Sequence, residues 1–284
     1  MISKTTIGPR AGIFALALAV FFLAESPSFS ASPWRLAVTD PCLASMASFL
    51  GGVNLSVVPL SGWDDGNFIR YRIKVDDMPK RALCLDRSDG KKYGLSLESA
   101  GVAVLYSDFP VDRSVEEIFS DPASLPFVGQ RVLVAIADLD PDGYSYYQRR
   151  LAEFQSRLDS TVSMGRKLLK GARILSLSGS SDLLFVAAGC EVETPTEDMM
   201  SQLSGALPAK KDSEKKELSE ILTSWKEGYD AVLVDHLSDP TLIEVARKVP
   251  GFVWIDPLTV ETDPVGVLND RYLVLWNVLR SKEK

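Results

Sequence analysis

Short apolar runs and amphipathic stretches alternate along most of this chain. Residues 34–40 (WRLAVTD) read as a short strand. In residues 41–50, Leu43, Met46, Phe49 and Leu50 recur at helical spacing, and Gly51-Gly52 stops the pattern. Residues 53–60 (VNLSVVPL) form a second apolar run of strand length. Strand, helix and strand in that order seed a parallel α/β unit. Further strands are expected at 82–85 and 102–106, and a short helix at 130–138.

The longest helical pattern covers residues 141–170. Tyr147, Leu151, Phe154, Leu158 and Val162 line one face, with Arg149, Arg150, Glu153, Gln155 and Arg157 on the other. At 1.5 Å of rise per residue such a helix spans about 40 Å, enough to bridge two lobes. The α/β theme then returns: strands at 173–178, 231–234 and 252–255, and helices at 182–188, 213–225, 240–248 and 270–280, with Ser213 as the expected cap of its helix. The expected fold class is α/β, two lobes each with a mostly parallel sheet flanked by helices, joined by one long linking helix. The expected boundaries are 31–140, 141–170 and 171–284.

Ahead of the first lobe, Lys4 and Arg10 precede an apolar run over 13–24, and small residues follow in SPSFSAS. This reads as a signal peptide, residues 1–30, cut after Ser30; a retained anchor helix is the alternative. The chain is thus expected to be exported, periplasmic or otherwise extracytoplasmic. Of its 284 residues 46% are hydrophobic and 24% charged, a globular composition. The formal net charge of -7 argues against nucleic acid as a partner. Cys42, Cys84 and Cys190 contain no C-x-x-C pair. In an oxidising compartment two of them pair and one stays free, or all three are buried thiols. No Gly-rich phosphate loop is present.

Leu50-Gly-Gly-Val-Asn-Leu-Ser-Val-Val-Pro-Leu60, Leu139-Asp-Pro-Asp-Gly-Tyr-Ser-Tyr-Tyr147, and Phe252-Val-Trp-Ile-Asp-Pro-Leu258 with Tyr272, Trp276 and Asn277 stand in order along the chain. In that order and spacing the chain resembles the zinc- and manganese-binding solute-binding proteins of ABC transporters. The resemblance implies a monomer that captures a small ligand or metal ion between its lobes and delivers it to a membrane permease, with no bond made or broken. It also implies a site of three histidines and a carboxylate. This chain has one histidine. The matching positions fall at Gly66, with Asp64 and Asp65 beside it, at Ser178, at Asp235 next to His236, and at Asp256.

Two readings follow. In one, Asp64 or Asp65, Asp235, His236 and Asp256 make an oxygen-rich shell, better suited to manganese, magnesium or calcium than to zinc. In the other, the scaffold has lost its metal site and holds another small solute or a protein partner. A polar residue that merely ends its strand is the plain account of His236, and helix or turn capping is that of Asp235 and Asp256. A secreted hydrolase using Ser178, His236 and Asp256 is the rival class, without the Gly-x-Ser-x-Gly elbow such enzymes carry.

Overall fold

The computed structural model describes residues 33–64, 67–110, 112–207 and 209–281. The signal-peptide reading, Asp65 and Gly66 fall outside the described residues. In chain order the elements are β1 (Trp34–Val38), α1 (Pro41–Gly51), β2 (Leu55–Pro59), β3 (Ser61–Asp64), β4 (Asn67–Arg70), β5 (Arg81–Asp86), α2 (Arg87–Lys92), β6 (Val102–Tyr106), α3 (Val115–Ser120), α4 (Leu125–Leu139) and α5 (Tyr144–Leu169). They continue with β7 (Arg173–Ser176), α6 (Asp182–Ala187), β8 (Glu191–Glu193), α7 (Glu197–Ala206), α8 (Asp212–Lys226), β9 (Ala231–Asp235), α9 (Pro240–Ala246), β10 (Phe252–Ile255) and α10 (Pro264–Ser281).

Two parallel sheets carry the architecture, one in order β2-β1-β5-β6 and the other in order β10-β9-β7-β8. Each is the centre of a lobe. Strands β1 and β9 lie inside their sheets, which explains their nearly unbroken apolar runs. Alternation then sorts side chains between layers: Ala231 and Leu233 join the core shared with the long helix, while Val232 and Val234 face α8 and α9 with Leu218, Trp225 and Leu242.

The long helix α5 is fastened to both lobes. The Tyr147 hydroxyl donates to Asp140 and accepts from Trp34 Nε1 at 3.0 Å, and Arg150 donates to the Phe49 carbonyl at 3.0 Å. Further along, Arg157 pairs with Asp263 and Arg166 donates to the Ala187 carbonyl at 2.9 Å. Gly165 lets α10 approach closely, since a Cβ there would sit 2.6 Å from the Tyr272 ring. One continuous apolar core therefore includes Leu36 of the first sheet, Phe154 of α5, and Ile174 and Leu233 of the second.

Several boundaries differ from the sequence reading. Helix α4 begins at Leu125 rather than 130, because Pro126 falls in its first turn, where no intrahelical N–H is lost. Helix α10 begins at Pro264 for the same reason. The cap of α8 is at Lys211, not Ser213: Glu214 reaches back to the backbone N–H groups of Lys210 and Lys211 at 2.7 and 3.0 Å. The β3–β4 hairpin and helices α2, α3 and α7 went unread. All three cysteines are free and buried, so no disulfide forms. Burial lifts the Cys84 thiol to about 11 and that of Cys190 to about 12, which keeps both protonated and inert.

Candidate functional site

The carboxyl ends of both sheets face one crevice, the place where open α/β sheets take ligands. From the first lobe come Asp40, just past β1, and the β3–β4 hairpin. The second lobe supplies Ser178 to Ser181 after β7, Asp235 and His236 at the end of β9, and Asp256 after β10.

Arg271 of α10 fills the middle. Its guanidinium donates to Ser120 Oγ at 2.8 Å, to Ser181 Oγ at 3.3 Å and to the Asp256 carbonyl at 2.8 Å, tying α3 to the turns of the second sheet. Burial pulls its pKa down to about 10, against the pull of Cys42, Asp235 and Asp256. It stays charged at neutral pH. Around it lie half-buried acids. Asp40 caps α1, accepting from the N–H groups of Cys42 and Leu43 at 2.8 and 3.0 Å, and burial lifts its carboxyl to about 7. Burial also raises Glu116, with Asp235 contributing, and Asp182, with Glu117 and Asp235 contributing.

The Asp235 carboxylate accepts from Ser180 Oγ and, at 2.9 Å, from the Leu237 N–H, so it holds the turn that follows its strand. That turn buries His236, only 5% exposed, against Trp63 of the first lobe's hairpin, with ring centroids 4.3 Å apart and edge to face. Neither ring nitrogen of His236 makes a hydrogen bond of full geometry, although the Ile255 backbone lies near enough to raise its pKa slightly. Burial lowers its pKa, Asp235 opposes and Arg271 reinforces, so the ring is neutral near pH 7.

Beside this contact opens a cavity of about 870 Å³. Trp63, Asn67 and Phe68 line it from the hairpin; His236, Arg247, Trp254 and Asp256 line it from the second lobe. The cavity thus brings His236 and Asp256 together. Asp235 stands behind its wall, and Asp64 and Ser178 are not part of the lining. Asp64 is exposed at the hairpin tip, opposite Asn67. Asp256 Oδ1 accepts from Trp254 Nε1 at 2.5 Å.

Among the described residues, no three His, Cys, Asp or Glu side chains converge on a point where a metal ion would sit. The donor set therefore does not fit a closed protein shell: Asp235 is engaged by Ser180, Asp256 by Trp254, and a fixed positive charge already stands between them. No serine hydroxyl bonds His236 either, so a Ser–His pair for hydrolysis is not assembled.

Sequence reasoning missed Glu116, Glu117, Asp182, Trp63 and Arg271. Ser114-Val-Glu-Glu117 is a capping-box pattern and the structure forms it, so that signal would have revealed α3. Arg271 sits in the apolar stripe of α10 with Leu268, Tyr272 and Leu275, a charge on a buried face.

No family model and no curated protein matches the sequence. Solved structures do match the fold. ZnuA aligns with a TM-score of 0.58 at 15% identity, covering 87% of this chain and 99% of that one. The solute-binding protein FpvC from Pseudomonas aeruginosa, solved in complex with Mn2+, aligns at 0.57 and 15%, covering 88% and 99%. A Mn-bound mutant of a periplasmic metal-binding protein from Candidatus Liberibacter asiaticus aligns at 0.56 and 12%, covering 87% and 99%. The chain shares the two-lobe fold of these solved structures. No helix among the described residues is long and apolar enough to cross a membrane.

Proposed function

We propose that this chain is an extracytoplasmic solute-binding protein of an ABC transporter, a monomer that captures its ligand between lobes 31–140 and 171–284 and presents it to a membrane permease. The observation that carries this reading is the unpartnered, buried imidazole of His236 beside an interlobe cavity of about 870 Å³. A cavity of that size suits a small solute. Both lobes contribute walls, so occupancy couples to lobe closure, which a permease can sense. No reaction is assigned to the site.

A second reading keeps a divalent cation, manganese or zinc, as the cargo. It is favoured by the same neutral imidazole, the form that ligates metals, and by the metals bound in the solved structures of this fold. The two readings separate by metal analysis of chain purified without chelator, followed by thermal shifts with MnCl2, ZnCl2 and a library of small organic solutes. A bound solute raises the melting temperature by mass action. The first reading expects an organic solute to do so and copurified metal to be substoichiometric. One equivalent of tightly held metal favours the second, and no shift from any class ends both.

A further inference from the structure

Among the described residues, six buried side-chain nitrogen and oxygen atoms lack a hydrogen-bond partner, and four of them belong to residues that line the interlobe cavity. These are Trp63 Nε1, both ring nitrogens of His236, and Ser238 Oγ. Buried polar atoms are rarely left unmatched unless something else meets them. The indole N–H only donates, whereas neutral imidazole and hydroxyl each bring one donor and acceptor lone pairs as well. The one atom here that can only donate is Trp63 Nε1, so the wall asks for at least one acceptor on the ligand.

Apolar and aromatic side chains make up part of the remaining lining. Phe68 is 49% exposed and Leu237 47%, beside Ile243 and the indole of Trp254. Large aromatic surface left open around a concavity marks a place for another flat group. Charge completes the pattern. Lys248 pairs with Glu244 at 3.0 Å, and Asp256 is met by Trp254 Nε1. Among the described residues Arg247 has no ion pair; its guanidinium lies 4.4 Å from the Trp254 ring centroid, at the end of α9. Arg247 is thus the cationic side chain of the lining with no carboxylate partner among the described residues, and its fork matches a carboxylate.

We infer that the cavity takes a small aromatic carboxylate, its ring against Trp63, Phe68 and Trp254, its carboxylate on Arg247, and a further acceptor toward Trp63 Nε1 and His236. This rests on the solute-binding reading and narrows it to a ligand class. A bare cation would find both carboxylates of the lining already engaged, Glu244 by Lys215 and Lys248 and Asp256 by Trp254 Nε1, with Arg247 beside them.

The test titrates the full chain, dialysed free of carried-over ligand, with indole-3-carboxylate and 4-hydroxybenzoate, with their neutral amides, with aliphatic amino acids and sugars, and with MnCl2 and ZnCl2. Tryptophan fluorescence and melting temperature are read together. The aromatic carboxylates are expected to bind saturably and the amides at least tenfold more weakly. Arg247→Gln, an exposed helix-end change, is expected to weaken the carboxylates about tenfold and leave the amides unchanged, with an unaltered circular dichroism spectrum. Trp63→Phe, which keeps the ring and removes the N–H donor, is expected to weaken both. Binding by a cation, sugar or aliphatic amino acid alone overturns this ligand class and leaves solute binding standing. Equal binding of acid and amide, or indifference to Arg247→Gln, overturns the carboxylate assignment. No binding by any probe overturns the inference, and the solute library then decides whether the wider reading survives.

Discussion

Arg271 supplies from within the chain the positive charge that a crevice crowded with carboxyls requires. It touches both lobes, through Ser120 and Ser181, and stands near Asp235 and Asp256. Removing one partner from a buried charged network costs about 3–5 kcal/mol, because the remaining groups lose their complement. Arg271→Gln is therefore expected to lower unfolding stability by that order in urea titrations, and Arg271→Lys by less. Asp40 makes the opposite kind of demand. Its folded pKa, about 7, exceeds the ordinary 3.8, so the folded chain holds this proton more tightly than the unfolded one. Its contribution to stability is greatest below pH 4 and is lost as pH rises toward 7, by at most about 4 kcal/mol at 1.36 kcal/mol per unit. Asp40→Asn keeps the helix cap. Measured from pH 5 to pH 8, urea midpoints are expected to fall less in this variant than in the wild type. His236, with a lowered pKa, acts only on the acid side, losing stability as pH drops below 6.5. Of these residues only His236 and its strand-end aspartates were legible in the sequence, since a polar residue after an apolar run announces itself. The burial of Arg271 depends on a serine 151 positions away, and no local pattern encodes that.

At the scale of elements, periodicity read well wherever a helix or strand buries one broad face. Strands β6 and β10 lie where the apolar runs put them, and α5 lacks only the 3-10 turn over Pro141–Gly143 at its start. Short elements escaped, because six residues such as α2 (RSDGKK) hold too little apolar surface to leave a period. The hairpin escaped for a related reason. Its Trp63 and Phe68 face the cavity rather than the core, so its strands lack the alternation of a half-buried sheet. Helix contacts yield a paired prediction. Gly165→Ala gains about 1 kcal/mol of helix propensity but drives a methyl into the Tyr272 ring, at a cost of about 1–3 kcal/mol. Gly205→Ala in α7 has open space and only the gain. Thermal unfolding should rank Gly205→Ala above wild type and Gly165→Ala below it.

The whole molecule is two α/β lobes whose relative motion is limited by three helices. Helix α5 bonds both, α10 carries Arg271 between them, and Ser45 of α1 donates to the Thr262 carbonyl at 2.9 Å. Bending a continuous helix breaks its hydrogen-bond ladder, so closure on a ligand should be a slight rocking. A chain of this size has a radius of gyration of about 19 Å, and small-angle scattering with saturating ligand is expected to change it by less than about 0.5 Å. Architecture at this scale was legible because it follows from the order of strands and helices. The ligand was not, because the cavity wall joins residues 63–68 to 236–257 and is absent from any single stretch. A solute in this cavity seats against His236. That ring is the only histidine in the chain, so its Cε1–H gives one resolvable NMR signal. This signal is expected to titrate below 6.5 in the free protein and to move saturably with any solute that raises the melting temperature. A solute that stabilises the protein and leaves this signal where it was would contradict it.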